Sequence, residues 1–250
     1  MSGLITSGHV LGVLIAAFAI WLLLRLLFRV LPARLQTQTR PLPVFSRLPK
    51  ELGYSAENGT PLHFGMGLGR LGSERTLASL AAMETLNNLA AAAAAYGTPP
   101  IVTVGDPTLL PVAEDTLRWA YKRRGTPERY NPTLVRYLAD QPVIYAAAAA
   151  DIVRHENVYG NVLIGSFDEE ISLVTHAAES NGLPQSAACD RPQGLSALYP
   201  AVGHLAIGEE MFAGLAQLTR LPHHLVSLPV QDILRFLVAV MILLAALRIL

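Results

Sequence analysis

The sequence predicts an α/β domain with a Rossmann-like, mostly parallel sheet, flanked by an amino-terminal and a carboxy-terminal transmembrane helix. Two observations carry the domain. Short apolar or β-branched runs alternate with helical stretches. Three of the helices are entered by glycine with glutamate in the first turn, at Gly72-Ser73-Glu74, at Gly165-Ser166 with Glu169, and at Gly208-Glu209-Glu210. Repeated units of this kind pack as a parallel sheet covered by helices. A third observation carries the flanks: 52% of residues are apolar and only 15% charged, and the apolar surplus sits at the two ends.

The leading run decides the topology. No fixed charge falls between Met1 and Leu24, which is the length a helix needs to cross the hydrocarbon. Arg25, Arg29, Arg34, Arg40, Arg47 and Lys50 follow, with no acid up to residue 50. A cleavable signal places its charge ahead of the apolar core; here it comes after, and such an excess stays cytoplasmic. Residues 1–31 are therefore expected to form an uncleaved anchor in the cell membrane with the amino terminus outside. Ile233 to Leu250, with Arg235 and Arg248 near its ends, predicts a second span over 231–250, the charged heads reaching opposite interfaces. A helix lying in the interface or packed on the domain is the alternative. The lipid bilayer is thus an expected partner.

Between the spans, Pro32, Pro41, Pro43 and Pro49 predict an irregular linker over 32–60. A cytoplasmic α/β domain is expected over 61–230, long enough for one well-buried core. The lone Cys189 excludes an intramolecular disulfide and suits a reducing compartment. Residues 51–231 hold eleven Lys and Arg against eighteen Asp and Glu. An acidic domain is repelled by phosphate backbones, so no nucleic-acid partner is expected.

In chain order, Leu62-His63-Phe64 reads as a strand entering Gly65, Gly67, Gly69 and Gly72, and Thr76 to Tyr96 as a helix stopped by Gly97. Gly67 to Gly72 has the letters of a dinucleotide fingerprint. The acid expected about twenty residues later is missing, Asp106 comes too far along, and Glu74 would repel a phosphate; a close-packed glycine turn is the plainer account. Pro100 to Val104 reads as a strand, and a helix follows from Thr108 to Gly125, whose Lys122, Arg123 and Arg124 complement its negative end. Asn131 to Leu138 is expected as a short helix, and Val143 to Ile152 as strand turning into helix. The alanines at 90–95 and 146–150 suit close approach, either in the core or between subunits. Asn161 to Ile164 is the next strand, with helices from Glu169 to Ser180 and from Gly208 to Thr219.

Parallel strands bring the loops that follow them to one edge, where open α/β sheets bind ligands. The candidate ligand-binding residues are accordingly Gly65, Gly67, Gly69, Gly72, Asp106, Gly165, Ser166, Glu169, Glu209 and Glu210. The acids at that edge could receive a cation or a basic partner, although the helix dipole alone explains them. Catalytic chemistry is faint and no cofactor is indicated. Ser166 lacks the second glycine of a nucleophile elbow. His176 and Glu179 lie three apart without a second such pair, His223-His224 sit near the second span, and Cys189 reads as a small buried hydrophobe.

The leading run, together with Leu62-His63-Phe64-Gly65-Met66-Gly67-Leu68-Gly69, Ile101-Val102-Thr103-Val104-Gly105-Asp106-Pro107, Leu163-Ile164-Gly165-Ser166-Phe167, Ile207-Gly208-Glu209-Glu210-Met211-Phe212-Ala213 and Gln231-Asp232, resembles an uncharacterised prokaryotic membrane-protein family of unknown function over residues 60–235. The resemblance implies the architecture and transfers no catalytic residue. Two functions are therefore expected: a structural or assembly component forming a homo-oligomer through its α/β domain, or a membrane-bound enzyme or sensor taking a nucleotide or cation at the glycine loops.

Overall fold

The computed structural model describes residues 41–219, with Trp21 and Val238 besides, and residues 40–219 form one compact unit. Apart from those two residues, both apolar terminal runs lie outside the described residues, as do His223 and His224. Among the described residues no helix is long and apolar enough to cross a membrane.

Within the expected linker, residues 43–58 are helical rather than irregular, and residues 32–40 lie outside the described residues. Helix α1 spans Pro43–Asn58 and buries Val44, Phe45, Leu48, Leu52 and Ser55. Pro43 lies in its first turn, where the missing N–H has no intrahelical partner to lose, and Pro49 sits inside it. An interior proline costs about 3 kcal/mol. Burying four large apolar side chains contributes roughly 2 kcal/mol each, so the tertiary contacts win over the local preference. The folded domain therefore begins about twenty residues earlier than Pro61.

Strand and helix alternate through the rest, with β5, α6 and β6 in a stretch for which the sequence set no expectation: β1 Leu62–Gly67, α2 Thr76–Tyr96, β2 Ile101–Val104, α3 Leu110–Arg123, β3 Val135–Tyr137, α4 Pro142–His155, β4 Gly160–Ser166, α5 Ser172–Ser180, β5 Gln185–Cys189, α6 Pro192–Leu198, β6 His204–Ile207 and α7 Glu210–Thr219. Helix α2 ends at Gly97, whose φ of 79° is the left-handed stop that glycine adopts freely. Two stretches depart from expectation. Asn131 to Leu138 is a 3-10 turn, Pro132–Leu134, followed by the edge strand β3, three residues too few for periodicity to reveal. Val143 to Ile152 is helix throughout, with Pro142 in its first turn.

The six strands are all parallel and ordered β3-β2-β1-β4-β5-β6. This is the doubly wound Rossmann order, whose direction reverses between β1 and β4. Helices α1, α2, α3 and α7 cover one face over Phe64, Met66, Val102, Val162 and Ile164. Helices α4, α5 and α6 cover the other over Leu163, Ala187 and Cys189. Ala90, Ala93, Ala94, Ala146, Ala149 and Ala150 are buried, so the inner half of each alanine run serves core packing. Close approach also sets Gly214 of α7, where an added Cβ would fall 1.9 Å from the Phe45 ring of α1.

Candidate functional site

The covered face between β1 and α4 carries a polar row within the apolar core. His63, Asn161 and Gln185 stand side by side in register on β1, β4 and β5, with Thr103 on β2; all four are at least nine-tenths buried. Their partners fix every proton. Asn161 Nδ2 donates to Gln185 Oε1 at 3.3 Å, so Asn161 Oδ1 accepts from His63 Nδ1 at 2.7 Å. A neutral imidazole then accepts at Nε2, where Thr103 Oγ1 donates at 3.0 Å. Thr103 in turn accepts from the Tyr145 hydroxyl at 3.0 Å, and that hydroxyl accepts from the Gly67 N–H at 3.1 Å. At the far end Gln185 Nε2 donates to the Thr175 carbonyl at 3.0 Å. The chain of hydrogen bonds runs one way across the sheet. Burial drives the His63 pKa down to about 4 and pushes the Tyr145 hydroxyl up to about 12, so both stay neutral near pH 7.

This row explains two of the candidate glycines. A Cβ on Gly65 would lie 2.7 Å from Leu163 Cδ2 and 3.2 Å from the Tyr145 hydroxyl; the bare strand lets Tyr145 cross it. Gly67, at φ 66°, sits where a Cβ would meet the Ser166 carbonyl at 2.3 Å. Its carbonyl accepts from Gly105 N, and the next amide, Leu68 N, donates to Ser166 O. The main chain after β1 thus knits the ends of β2 and β4 together, and Leu68 packs with Tyr145 and Phe167. Gly165, at φ 152°, faces the Met66 carbonyl in the same close approach, Gly69 faces Ser79 and Leu109, and Gly72 at φ 82° has open space around it.

The carboxyl edge holds a network of charges. Asp106, only 6% exposed, accepts from the Thr108 amide and pairs with Arg70 at 3.1 Å. Arg75, just before α2, donates to Asp168 Oδ2 at 3.0 Å, and Arg191, after β5, lies 3.0 Å from Asp168 Oδ1 and 3.5 Å from Glu74. The Arg191–Asp168 approach is a charge contact without an aligned hydrogen bond, because Arg191 Nε and Asp168 Oδ1 are both buried and unsatisfied. Fully buried Ser166 Oγ, Asp190 Oδ1 and Glu170 Oε2 share that condition. Burial pushes the Asp190 carboxyl up, while the nearby Ser166 hydroxyl, Arg191 and Arg75 pull it back.

The edge therefore gathers Gly67, Asp106, Gly165 and Ser166 around the β1–β4 reversal. Glu169 is exposed beside it. Glu209 and Glu210 follow β6, two strands from β4, about 10 Å away at the spacing of neighbouring strands. Glu210 there accepts from the Ile207 amide at 3.0 Å. Among the described residues no group of three or more His, Cys, Asp or Glu could hold a metal ion. Sequence reasoning missed Arg75, Asp168, Arg191 and the His63–Tyr145 row, since each joins residues far apart in the chain. Cys189 is fully buried, as its composition suggested, and desolvation pushes its thiol up to about 11. Of the basic trio, Lys122 lies over the Trp119 ring at 4.5 Å and Arg123 donates to Asn87 at 3.2 Å.

The model of a domain of unknown function, DUF6754, matches residues 7–250. The chain belongs to that family. No curated protein and no solved structure matches it. For a DUF6754 domain the geometry offers two chemically distinct regions, a neutral hydrogen-bonded row within the covered face and a charged, incompletely satisfied network at the reversal point.

Proposed function

We propose that this DUF6754 member is anchored to the cell membrane by its terminal apolar runs, with its α/β domain on the cytoplasmic side, and binds a small ligand at the carboxyl edge of the sheet. The observation that supports it most is the concentration of unmatched polar atoms. Of seven buried side-chain atoms without a hydrogen-bond partner among the described residues, five belong to Ser166, Asp168, Glu170, Asp190 and Arg191, after β4 and β5. Buried polar groups are nearly always paired with protein, water or ligand. Asp168 Oδ1 faces Arg191 Nε at 3.0 Å and the Ser166 hydroxyl lies by Asp190, which leaves the carboxylate oxygens of Glu170 and Asp190, able only to accept, as the groups facing a ligand. The fitting ligand therefore presents hydroxyl or ammonium donors. A phosphate is disfavoured, because Glu74, Asp168 and Asp190 outnumber Arg75 and Arg191.

The purified full chain in detergent can be screened by thermal shift against ribonucleosides, polyols, short polyamines, divalent cations and inorganic phosphate. A ligand at a hundred times its dissociation constant adds about 2.7 kcal/mol. That is a rise of roughly 5–10 °C for a domain of this size, and Asp190→Asn should remove it. Stabilisation by phosphate alone, or by nothing in the panel, would reject this function.

Self-association is supported by a separate observation. Helix α2 has one charged side chain, Glu84, in 21 residues, and its outer side exposes Leu77 (65%), Leu80 (51%), Ala91 and Ala95. Leu77 and Leu80, adjacent leucines on that side, lose contact with water when a second copy covers them. Native mass spectrometry should then show oligomers that the Leu77→Glu, Leu80→Lys double variant converts to monomers. Wild-type monomers would count against assembly through α2.

A further inference from the structure

An open cleft of about 360 Å³ lies at the opposite, amino-terminal edge of the sheet, between α1, the loop leading into β5 and the start of β6. That is the size of a small-molecule site. Its wall combines Arg47 and Glu51 of α1, Glu179 of α5, Gln185 of β5 and His204 of β6. Nothing in the proposed carboxyl-edge site uses these residues.

Arg47 can only donate, and its guanidinium lies against His204 Nε2. Arg47 itself is exposed, and its fork retains further N–H donors directed by a planar guanidinium. Glu51 accepts from Ser186 Oγ at 3.1 Å through Oε1. The Gln185 amide is held by the Thr175 carbonyl and by Asn161, so it forms a rigid wall. A carboxylate taken partly out of water is best compensated by a cation. Burial indeed holds the Glu51 pKa above the ordinary carboxylate range. Leu183, Pro184 and Ala201 add an apolar lining.

We propose that this cleft binds a small zwitterion of amino-acid size, its ammonium group on Glu51 with Glu179 nearby, and its carboxylate on Arg47. A simple anion would meet two carboxylates. A simple amine would leave the guanidinium unused.

The test uses the full chain in detergent and ligand-detected saturation-transfer NMR with three probes: a mixture of the proteinogenic amino acids, butylamine and butyrate. Transfer to at least one amino acid is expected, with at least tenfold weaker binding of butylamine and butyrate. Glu51→Gln keeps the shape and the bond from Ser186 but removes the charge, and should weaken the amino acid at least tenfold; Arg47→Met should do the same. Charge-assisted hydrogen bonds are worth about that much. Unchanged melting temperatures will show that both variants fold. Asp190→Asn should leave this binding intact, which separates the cleft from the carboxyl edge. No transfer to any amino acid, preferential transfer to butyrate or butylamine, or equal transfer to folded Glu51→Gln would overturn the assignment.

Discussion

Gly67→Ala should lower the melting temperature of the domain by roughly 10 °C, a loss on the order of 4 kcal/mol for a chain of this size. Two costs combine. At φ 66° an L side chain strains the backbone by about 1–2 kcal/mol. In addition its Cβ would stand 2.3 Å from the Ser166 carbonyl and 2.7 Å from the Phe167 ring; overpacking of this kind costs about 1–3 kcal/mol. The neighbours are poorly able to yield, because Leu68 N donates to that same carbonyl and Gly105 N donates to Gly67 O. Gly72→Ala is the control. Gly72 has φ 82° with nothing within 4 Å of an added Cβ, so it should show the backbone cost alone, roughly 3 °C. Thermal unfolding of the two variants side by side decides the matter, and equal shifts would mean that the clash at the β1–β4 reversal is relieved without cost.

The second large effect is a loss of stability on acidification. His63 titrates at about 4 when folded, against 6.5 as a free side chain. Between these values the unfolded chain binds the extra proton, so stability rises with pH. The contribution is fully present above pH 6.5 and is lost as pH falls toward 4, on the order of 3 kcal/mol in all. Protonation would make Nε2 a donor toward Thr103 and leave one hydroxyl proton of the Thr103–Tyr145 pair without an acceptor, because the Gly67 N–H can only donate. Glu51 and Asp190, whose carboxyls are raised, act in the opposite sense and favour the folded state at the acid end. The His63 share is therefore read as a difference. His63→Gln, which cannot titrate, should flatten the slope of stability between pH 6.5 and 4.5. Heteronuclear NMR should meanwhile show a neutral His63 with its proton on Nδ1 throughout that range. A midpoint near 6.5 would contradict the buried, neutral row.

How much was legible in the sequence follows from the range of the interactions. The helix over Thr76 to Tyr96 and its stop at Gly97 rest on local spacing and one glycine conformation, and both are present. The strands over Ile101 and Val162 are likewise local in origin. Helix α1 was hidden because its prolines argue against a helix while the contacts that outweigh them come from α2 and α7. The edge strand β3 is too short to show a period.

At the candidate edge, the sequence by itself determined that glycines and acids would gather where parallel strands end, since chain direction and strand-loop-helix repetition dictate that much. It could not say what the glycines were for. Only the tertiary structure decided that Gly65 makes way for Tyr145, that Gly67 and Gly165 let neighbouring strand ends touch, and that Asp168 lies between Arg75 and Arg191. The physical reason is separation: Tyr145 is 78 residues from Gly67, and Arg75 is 93 from Asp168. Such pairs leave no periodic trace in the chain and exist only once the sheet has brought them together.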